Sequence, residues 1–228
     1  MSWSDFHTFV APSRSAGEDP PELPFRRLVV LGSGSLSVAF LPFWMNWLSL
    51  AHPALEVRCV LTPSAARLVS QRALAVLTRA PVPLDSYDDL GGDPAVEHLD
   101  VVGWADVIAV APASLDTVVR IAEGRADTPL LLAIAMSAVP VCVAPSVPPG
   151  AEIAPVLTDA LARLARRPRT VVARFTRVRS AHSGDLSPGG MAPFADILAA
   201  LSGLASPSLP EPPLKEERSD SKAPGAAS

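Results

Sequence analysis

Residues 98–117 read HLDVVGWADVIAVAPASLDT, and the run VIAVA at 107–111 within them decides the fold. The run is continuously apolar instead of alternating with polar residues, which is typical of a strand covered on both faces. It ends at Pro112, and small hydroxylated residues follow. This order predicts a buried strand, a short loop and then a helix over about 114–124.

The same alternation extends in both directions along the chain. Strands are predicted at 27–32, 55–62, 107–111, 139–144 and 170–175, and helices at 35–51, 64–72, 114–124, 154–166 and 192–204. Continuous apolar strands separated by helices indicate parallel strands with helical crossovers. We therefore predict an α/β fold, a three-layer α/β/α Rossmann-like (flavodoxin-like) open parallel sheet. One domain is expected over 26–205, with a disordered N-terminal arm at 1–25 and a disordered C-terminal tail at 206–228.

Composition excludes several classes of function. The chain has 228 residues, a net charge of −4 and no basic face, which argues against nucleic-acid binding. Cys59 and Cys142 lie inside apolar runs, as reduced buried cysteines do. No HxH, HExxH or CxxC spacing supports a metal site, and no GxSxG elbow supports a hydrolase. Pro140 divides the longest apolar run, so we expect a cytoplasmic protein without a membrane span.

Ligands of open parallel sheets bind at the carboxyl ends of the strands, which directs attention to four loops. Gly32-Ser33-Gly34-Ser35 is either a phosphate loop or a tight turn with Ser35 as helix N-cap. Thr62-Pro63-Ser64, taken alone, is an N-cap. With the loop at 112–117, these hydroxyl groups together suit a mononucleotide phosphate and ribityl chain. His98 alone carries no signal of function, and His182 lies in a glycine-containing loop that indicates a flap.

The segment HLDVVGWADVIAVAPASLDTVVRIAEGRADTPLL resembles the homo-oligomeric flavin-containing cysteine decarboxylases, which include phosphopantothenoylcysteine decarboxylase and the peptidyl-cysteine decarboxylases of lanthipeptide biosynthesis. The resemblance covers 27–204. It implies FMN as cofactor, a homo-oligomer (a trimer or a dodecamer of trimers), and His98 as the base that removes the cysteine thiol proton. The residues implied to bind FMN are Gly32, Ser33, Gly34, Ser35, Thr62, Ser64, Pro112, Ala113, Ser114, Asp116 and Thr117.

Three positions depart from the family pattern. Pro148 stands where the family has a substrate-contacting asparagine, and a proline cannot replace a side-chain amide. Asp116 replaces another asparagine; its carboxylate can accept hydrogen bonds from ribityl hydroxyls but repels phosphate. Ser183 replaces the cysteine that helps the coenzyme A-pathway enzymes to reduce an enethiol. The implied substrate-binding residues are Pro145, Ser146, Val147, Pro148, His182, Ser183 and Met191.

Because Ser183 cannot supply a thiol, the resemblance implies that the reaction stops at the enethiol. The expected substrate is a ribosomally made precursor peptide with a C-terminal cysteine, and the product is an enethiol for aminovinyl-cysteine formation. Pro148 leaves a second interpretation open, a catalytically impaired flavin-binding subunit of a mixed oligomer. A third is phosphopantothenoylcysteine decarboxylase of coenzyme A biosynthesis, against which Ser183 and Pro148 both argue. Flavin prenyltransferases share the fold, but the His98 and Trp-Ala-Asp segment argues against them.

Overall fold

A computed structural model describes residues 22–89, 103–136, 138–179, 184 and 186–205. Its main element is a five-stranded sheet in the order β2-β1-β3-β4-β5, with every neighbouring pair parallel. The strands are β1 Arg27–Gly32, β2 Glu56–Leu61, β3 Val107–Ala113, β4 Val141–Pro145 and β5 Thr170–Val172. This arrangement confirms the predicted open parallel α/β sheet.

Six α-helices lie wholly within the described residues. They are α1 Leu41–Ala51, α2 Gln71–Thr78, α3 Leu115–Ala122, α4 Pro129–Met136, α5 Pro155–Leu164 and α6 Phe194–Ala205. Short 3-10 turns occur at Leu36–Phe40, Ala65–Arg67, Tyr87–Asp89 and Ala151–Ile153. None of the described helices has the length and apolar character needed to cross a bilayer.

Alternate residues of each strand face two separate hydrophobic clusters. Leu28 and Val30 of β1 pack into a cluster with α1, α2 and α6, whereas Val29 and Leu31 pack into another with α3, α4 and α5. All seven residues of β3 are buried, since this strand lies at the centre of the sheet. Both faces of the sheet are thus covered, and this explains why the strand sequences are continuous apolar runs.

Three elements differ from the sequence-based expectations. The predicted helix at 64–72 is wrong: a 3-10 turn occupies Ala65–Arg67, and α2 begins at Gln71, with the hydroxyl of Ser70 accepting a hydrogen bond from the Ala73 amide. Helix α4 lies in an apolar run for which no helix was predicted. The described ends of the predicted flap form an antiparallel pair, β6 Thr176–Arg179 and β7 Leu186–Gly190.

Asp85 connects the sheet edge to the beginning of α4. Its side chain is 2% exposed and accepts hydrogen bonds from the Leu130 amide and the Thr128 hydroxyl, both at 2.8 Å. The carboxylate thus satisfies a donor at a helix N-terminus, where amides lack an intrahelical partner. Burial raises the pKa of Asp85 above its ordinary value, although the two hydrogen bonds act to lower it.

We expect Asp85→Ala to lower the free energy of unfolding by about 2 kcal/mol, because it leaves the buried Leu130 amide without an acceptor. Asp85→Asn, which keeps an oxygen for that amide, should cost less. Urea denaturation measures both effects, and Asp159→Asn, on an exposed carboxylate of α5, is the control. Equal losses for the alanine and asparagine variants would contradict the capping role.

The raised pKa of Asp85 also has a pH consequence. The folded protein holds this proton more tightly than the unfolded chain, in which an aspartate has a pKa of about 3.9. Protonation therefore favours folding, so the wild type should lose stability relative to Asp85→Asn as the pH rises above about 4. Thermal melts of the two proteins at matched pH values measure the difference.

Candidate functional site

The carboxyl ends of the parallel strands open into a cleft with a volume of about 1180 Å³. We call the loops around it loop 1 (residues 32–37, after β1), loop 2 (62–67, after β2), loop 3 (112–117, after β3) and loop 4 (145–150, after β4). The β6–β7 pair contributes a further wall through Val178, Arg179, Gly189 and Gly190. The location of the cleft at this edge of the sheet agrees with the general rule for open α/β folds.

Ser33 joins loop 1 to loop 3. Its hydroxyl donates to the Pro112 carbonyl at 2.8 Å and accepts from the Ser114 amide at 2.7 Å, while its own amide donates to the same carbonyl at 3.0 Å. The side chain is fully buried. The serine therefore supports the wall of the cleft from behind, and it does so with three hydrogen bonds.

Loops 1 and 2 approach each other at Gly34. A Cβ atom added at this glycine would lie 2.7 Å from Ser64 Oγ, closer than a carbon atom can approach. Ser64 Oγ lies 3.2 Å from Thr62 Oγ1, which also accepts a hydrogen bond from the Ala65 amide. Gly34, Thr62 and Ser64 all line the cleft, so this end of it offers backbone and hydroxyl groups without bulk.

The N-terminus of α3 completes the same end of the cleft. Ser114 Oγ accepts a hydrogen bond from the Thr117 amide at 3.4 Å and lies 3.0 Å from Thr117 Oγ1, so Ser114 caps this helix. We name Gly34, Thr62, Ser64, Ser114 and Thr117 the hydroxyl pocket. Its donors and the positive end of the α3 dipole suit an anion such as a phosphate.

Asp116 lies beside the hydroxyl pocket and is compensated by a neighbouring cation. Its carboxylate is 77% exposed and 3.7 Å from the Arg120 guanidinium, one helical turn further along α3. Arg120 also contacts Asp127 at 2.8 Å, and this hydrogen bond lowers the pKa of Asp127. Arg125 also contacts Asp127, at 3.2 Å. Arg120 is thus shared between two carboxylates, and its longer contact is the one with the exposed Asp116.

Loop 4 is held against the β6–β7 pair on the other side of the cleft. The Val147 amide donates to the Gly189 carbonyl at 2.9 Å, and a Cβ atom added at Gly189 would lie 2.5 Å from the Val147 carbonyl oxygen. Ser146 Oγ lies 2.8 Å from Ser35 Oγ and 2.8 Å from Ser37 Oγ. These contacts join loop 4 to loop 1 as well as to β7.

The structure brings most of the predicted site residues to the cleft. Eleven of them line it: Gly34, Ser35, Thr62, Ser64, Ser114, Asp116, Thr117, Ser146, Val147, Pro148 and Met191. Another five lie behind the lining: Gly32, Ser33, Pro112, Ala113 and Pro145. His98, His182 and Ser183 lie outside the described residues.

Sequence reasoning missed several residues of the cleft. Three arginines line it, Arg67, Arg120 and Arg179, together with the apolar side chains of Leu36, Phe40 and Trp44. The spacing of four between Asp116 and Arg120 is an ion-pair signal that could have identified Arg120. No comparable pattern marks Arg67 or Arg179, since each depends on how a loop or strand turns toward the cleft.

Both cysteines are remote from the cleft. Cys59 in β2 and Cys142 in β4 are free, fully buried and absent from its lining. Burial raises the pKa of each thiol to about 12. A thiol with such a pKa is almost entirely protonated near neutral pH and is a poor nucleophile or reductant.

Comparison with known proteins gives consistent matches. Cypemycin cysteine dehydrogenase (decarboxylating) from Streptomyces sp. is 39% identical over 121 residues, which are 53% of this chain and 63% of that protein. The coenzyme A biosynthesis bifunctional protein CoaBC of Mycobacterium bovis is 34% identical over 150 residues, 65% of this chain and 34% of that protein. The alignments thus span less than two thirds of either relative.

A solved structure extends the likeness to the fold. The crystal structure of the cypemycin decarboxylase CypD superposes with a TM-score of 0.66 at 30% identity, over 81% of this chain and 96% of that one. The family model described as Flavoprotein matches residues 17–206. The resemblance found in the sequence is confirmed, and the chain belongs to the Flavoprotein family.

Proposed function

We propose that this protein oxidatively decarboxylates the C-terminal cysteine of a ribosomally made peptide, with FMN as cofactor, and releases an enethiol that can form an aminovinyl-cysteine ring. The observation that carries the proposal is the convergence of loops 1, 2 and 3 on the hydroxyl pocket at one end of a cleft of about 1180 Å³. The likeness to the cypemycin enzyme supports the peptide as substrate. Since such peptides are made on ribosomes, we place the protein in the cytoplasm.

FMN fits the described residues. The hydroxyl pocket would hold its phosphate through Ser64, Ser114, Thr117 and the backbone near Gly34, and the apolar side chains that line the cleft would accept its ring. When bound, FMN supplies the two-electron oxidation that the cysteine requires. The chain's own residues bind and orient the cofactor and peptide, and His98 is proposed to take the thiol proton.

The buried cysteines support an enethiol as the final product. In the coenzyme A-pathway enzymes that the sequence resembles, a cysteine helps to reduce the enethiol to a saturated thiol, and this chain has only two cysteines. Cys59 and Cys142 are both buried away from the cleft with raised pKa values. The chain therefore lacks a group for this second reaction, which favours the peptide-modifying enzymes over the coenzyme A pathway.

We also propose that the protein is a homo-oligomer. The side chains of Leu36, Phe40, Phe43 and Leu50 are 45–75% exposed, and all four belong to the first 3-10 turn and α1. An exposed apolar patch of this kind is typical of a protein–protein contact. Two of these residues, Leu36 and Phe40, also line the cleft, so a neighbouring copy would stand close to the site.

The function is tested by incubating the purified protein and FMN in air with peptides that end in cysteine. Mass spectrometry should show a loss of about 46 Da, the mass of carbon dioxide plus two hydrogen atoms. His98→Asn should keep FMN bound and abolish the loss. Peptides ending in serine are the control.

Unchanged masses across a panel of cysteine-ended peptides would contradict the proposal. If the protein binds FMN and peptide but reacts only when a partner chain is added, it is the catalytically impaired subunit of a mixed oligomer that Pro148 suggests. A loss of carbon dioxide alone, about 44 Da, from phosphopantothenoylcysteine would favour the coenzyme A route.

The close approach of loops 1 and 2 gives a second prediction. Gly34→Ala places a methyl group 2.7 Å from Ser64 Oγ, so Ser64 must shift within the hydroxyl pocket. We expect the Kd for FMN, measured by quenching of flavin fluorescence, to rise at least 10-fold, on the order of one or two lost hydrogen bonds. Gly203→Ala, where an added Cβ meets nothing within 4 Å, is the matched control. A Kd for Gly34→Ala within twofold of the wild type would contradict the role of the pocket.

Asp116 gives a third prediction. Asp116→Asn removes a negative charge beside the pocket and releases Arg120 from one of its two carboxylates. We expect FMN binding to tighten about 2- to 5-fold, the magnitude of a partly exposed ion pair, and the gain to shrink at high salt. Riboflavin, which lacks the phosphate, should bind both proteins equally.

Glu123→Gln is the control for Asp116→Asn. It removes a carboxylate near the end of the same helix, 4.0 Å from Arg125 and outside the cleft lining. An equal gain in affinity for riboflavin, or weaker binding of FMN, would show that Asp116 does not act through the phosphate.

A further inference from the structure

Three serine hydroxyls form a cluster where loop 1 meets loop 4. Ser35 Oγ donates to Ser146 Oγ at 2.8 Å, and Ser37 Oγ lies 2.8 Å from the same oxygen. All three residues line the cleft, although Ser146 itself is only 6% exposed. Loop 4 follows β4, and two strands separate β4 from β2, so loop 1 stands between Ser146 of this serine cluster and Ser64 of the hydroxyl pocket.

The serine cluster has one more proton than its internal hydrogen bonds use. Three hydroxyls carry three O–H donors, and the two contacts consume two of them. If Ser37 donates to Ser146, the Ser146 O–H is left; if Ser146 donates to Ser37, the Ser37 O–H is left. Within the described part of the chain these oxygens make no other hydrogen bond, so in either arrangement one donor remains for a ligand.

The backbone of loop 4 cannot supply a donor of its own over residues 146–149. The Ser146 amide donates to the Ala113 carbonyl at 2.8 Å and the Val147 amide donates to the Gly189 carbonyl at 2.9 Å. Pro148 and Pro149 have no N–H at all. The spare hydroxyl is therefore the donor that this stretch can offer to a molecule in the cleft.

We propose that the spare hydroxyl of the serine cluster donates to the C-terminal carboxylate of the peptide substrate, in place of a side-chain amide that Pro148 cannot provide. A donor requires an acceptor, and the carboxylate is the acceptor-only group of a C-terminal cysteine. Of the three arginines in the cleft lining, Arg120 is paired with Asp116 and Asp127, and Arg179 donates to the Gly184 carbonyl. The third, Arg67, belongs to loop 2, on the side of the cleft that holds the hydroxyl pocket. This inference rests on the proposed function.

The experiment compares two fluorescein-labelled peptides that end in cysteine, one as the free acid and one as the carboxamide. Fluorescence anisotropy gives the Kd of each for FMN-loaded protein carrying His98→Asn, which keeps the acid peptide intact. Protein that carries only His98→Asn should bind the acid about 10- to 100-fold more tightly than the carboxamide, as expected for a hydrogen bond to a charged group. Ser35→Ala/Ser37→Ala/Ser146→Ala should lose this preference and keep the same Kd for the carboxamide.

All three serines are replaced together because the loss of Ser146 alone would free the hydroxyls of Ser35 and Ser37. Ser49→Ala is the matched control, since this exposed hydroxyl donates to the Asn46 carbonyl within α1, far from loop 4 in the sequence and outside the cleft lining. It should leave both peptide affinities unchanged. All peptide titrations are made at saturating FMN, because Ser35 belongs to the residues implied to bind FMN and its replacement is expected to affect the Kd for the cofactor.

Two outcomes overturn the inference while the proposed function stands. In the first, the FMN-saturated triple variant keeps the preference for the acid; in the second, it binds the acid and the carboxamide more weakly by the same factor, which would show that the cluster does not act on the carboxylate. Absence of peptide binding and of the mass loss in the wild type would overturn the proposed function and this inference together. Loss of the acid preference at saturating FMN, with the Kd for the carboxamide retained, supports the inference.

Discussion

The buried hydroxyl of Ser33 is the contact on which the geometry of the cleft depends. It joins the end of β1 to the turn after β3 by donating to Pro112 and accepting from Ser114. Each bond has a net value of about 1 kcal/mol, but the loss of the hydroxyl would leave a buried carbonyl and amide unsatisfied. Through this serine, the position of Gly34 and the start of α3 are set relative to each other before any ligand is present.

Most donors that the loops present to the cleft are neutral, and part of its charge is paired. Serines, threonines, glycines and prolines predominate in the four loops, although Arg67 also belongs to loop 2. The charged groups of Arg120, Asp116 and Asp127 are linked to one another beside the loops. Hydroxyl and amide donors hold an anion with a defined direction, whereas a guanidinium paired with two carboxylates contributes little net charge. The direction of these donors therefore contributes to the affinity of the cleft together with the charges of Arg67 and Arg179.

Much of the fold could be predicted because a strand that is buried on both faces consists of a continuous run of apolar residues. Five strands were recognised, and the ends of β1, β2, β3 and β4 correctly indicated the loops of the cleft. The helix expected at 64–72 was wrong because the Ser70 side chain caps a separate helix, α2, which begins at Gln71. The β6–β7 pair shows no such apolar run, since its strands are short and β7 contains Pro188. Its contact with loop 4 depends on Gly189, whose neighbour Val147 is distant in the sequence.

The candidate site was predicted unevenly for the same physical reason. Small and hydroxylated residues at strand ends are local signals, so Ser64 and Ser114 could be identified from the sequence. The flavoprotein family was recognised chiefly from the segment at 98–131, which contains Ser114. The link between Ser35 and Ser146 joins residues 111 positions apart, and no local pattern reports it. His98 and Ser183 remain predictions, since both lie outside the described residues.

The contact between Gly189 and loop 4 limits how this scaffold can be re-engineered. The α-carbon of Gly189 is so close to the Val147 carbonyl that no side chain fits between them. A hairpin grafted from a relative, for example to install a reactive thiol above the cleft, would have to carry glycine at this position. Any larger residue would displace loop 4 and break its contacts with loop 1, so the grafted hairpin would stand above a cleft whose shape had changed.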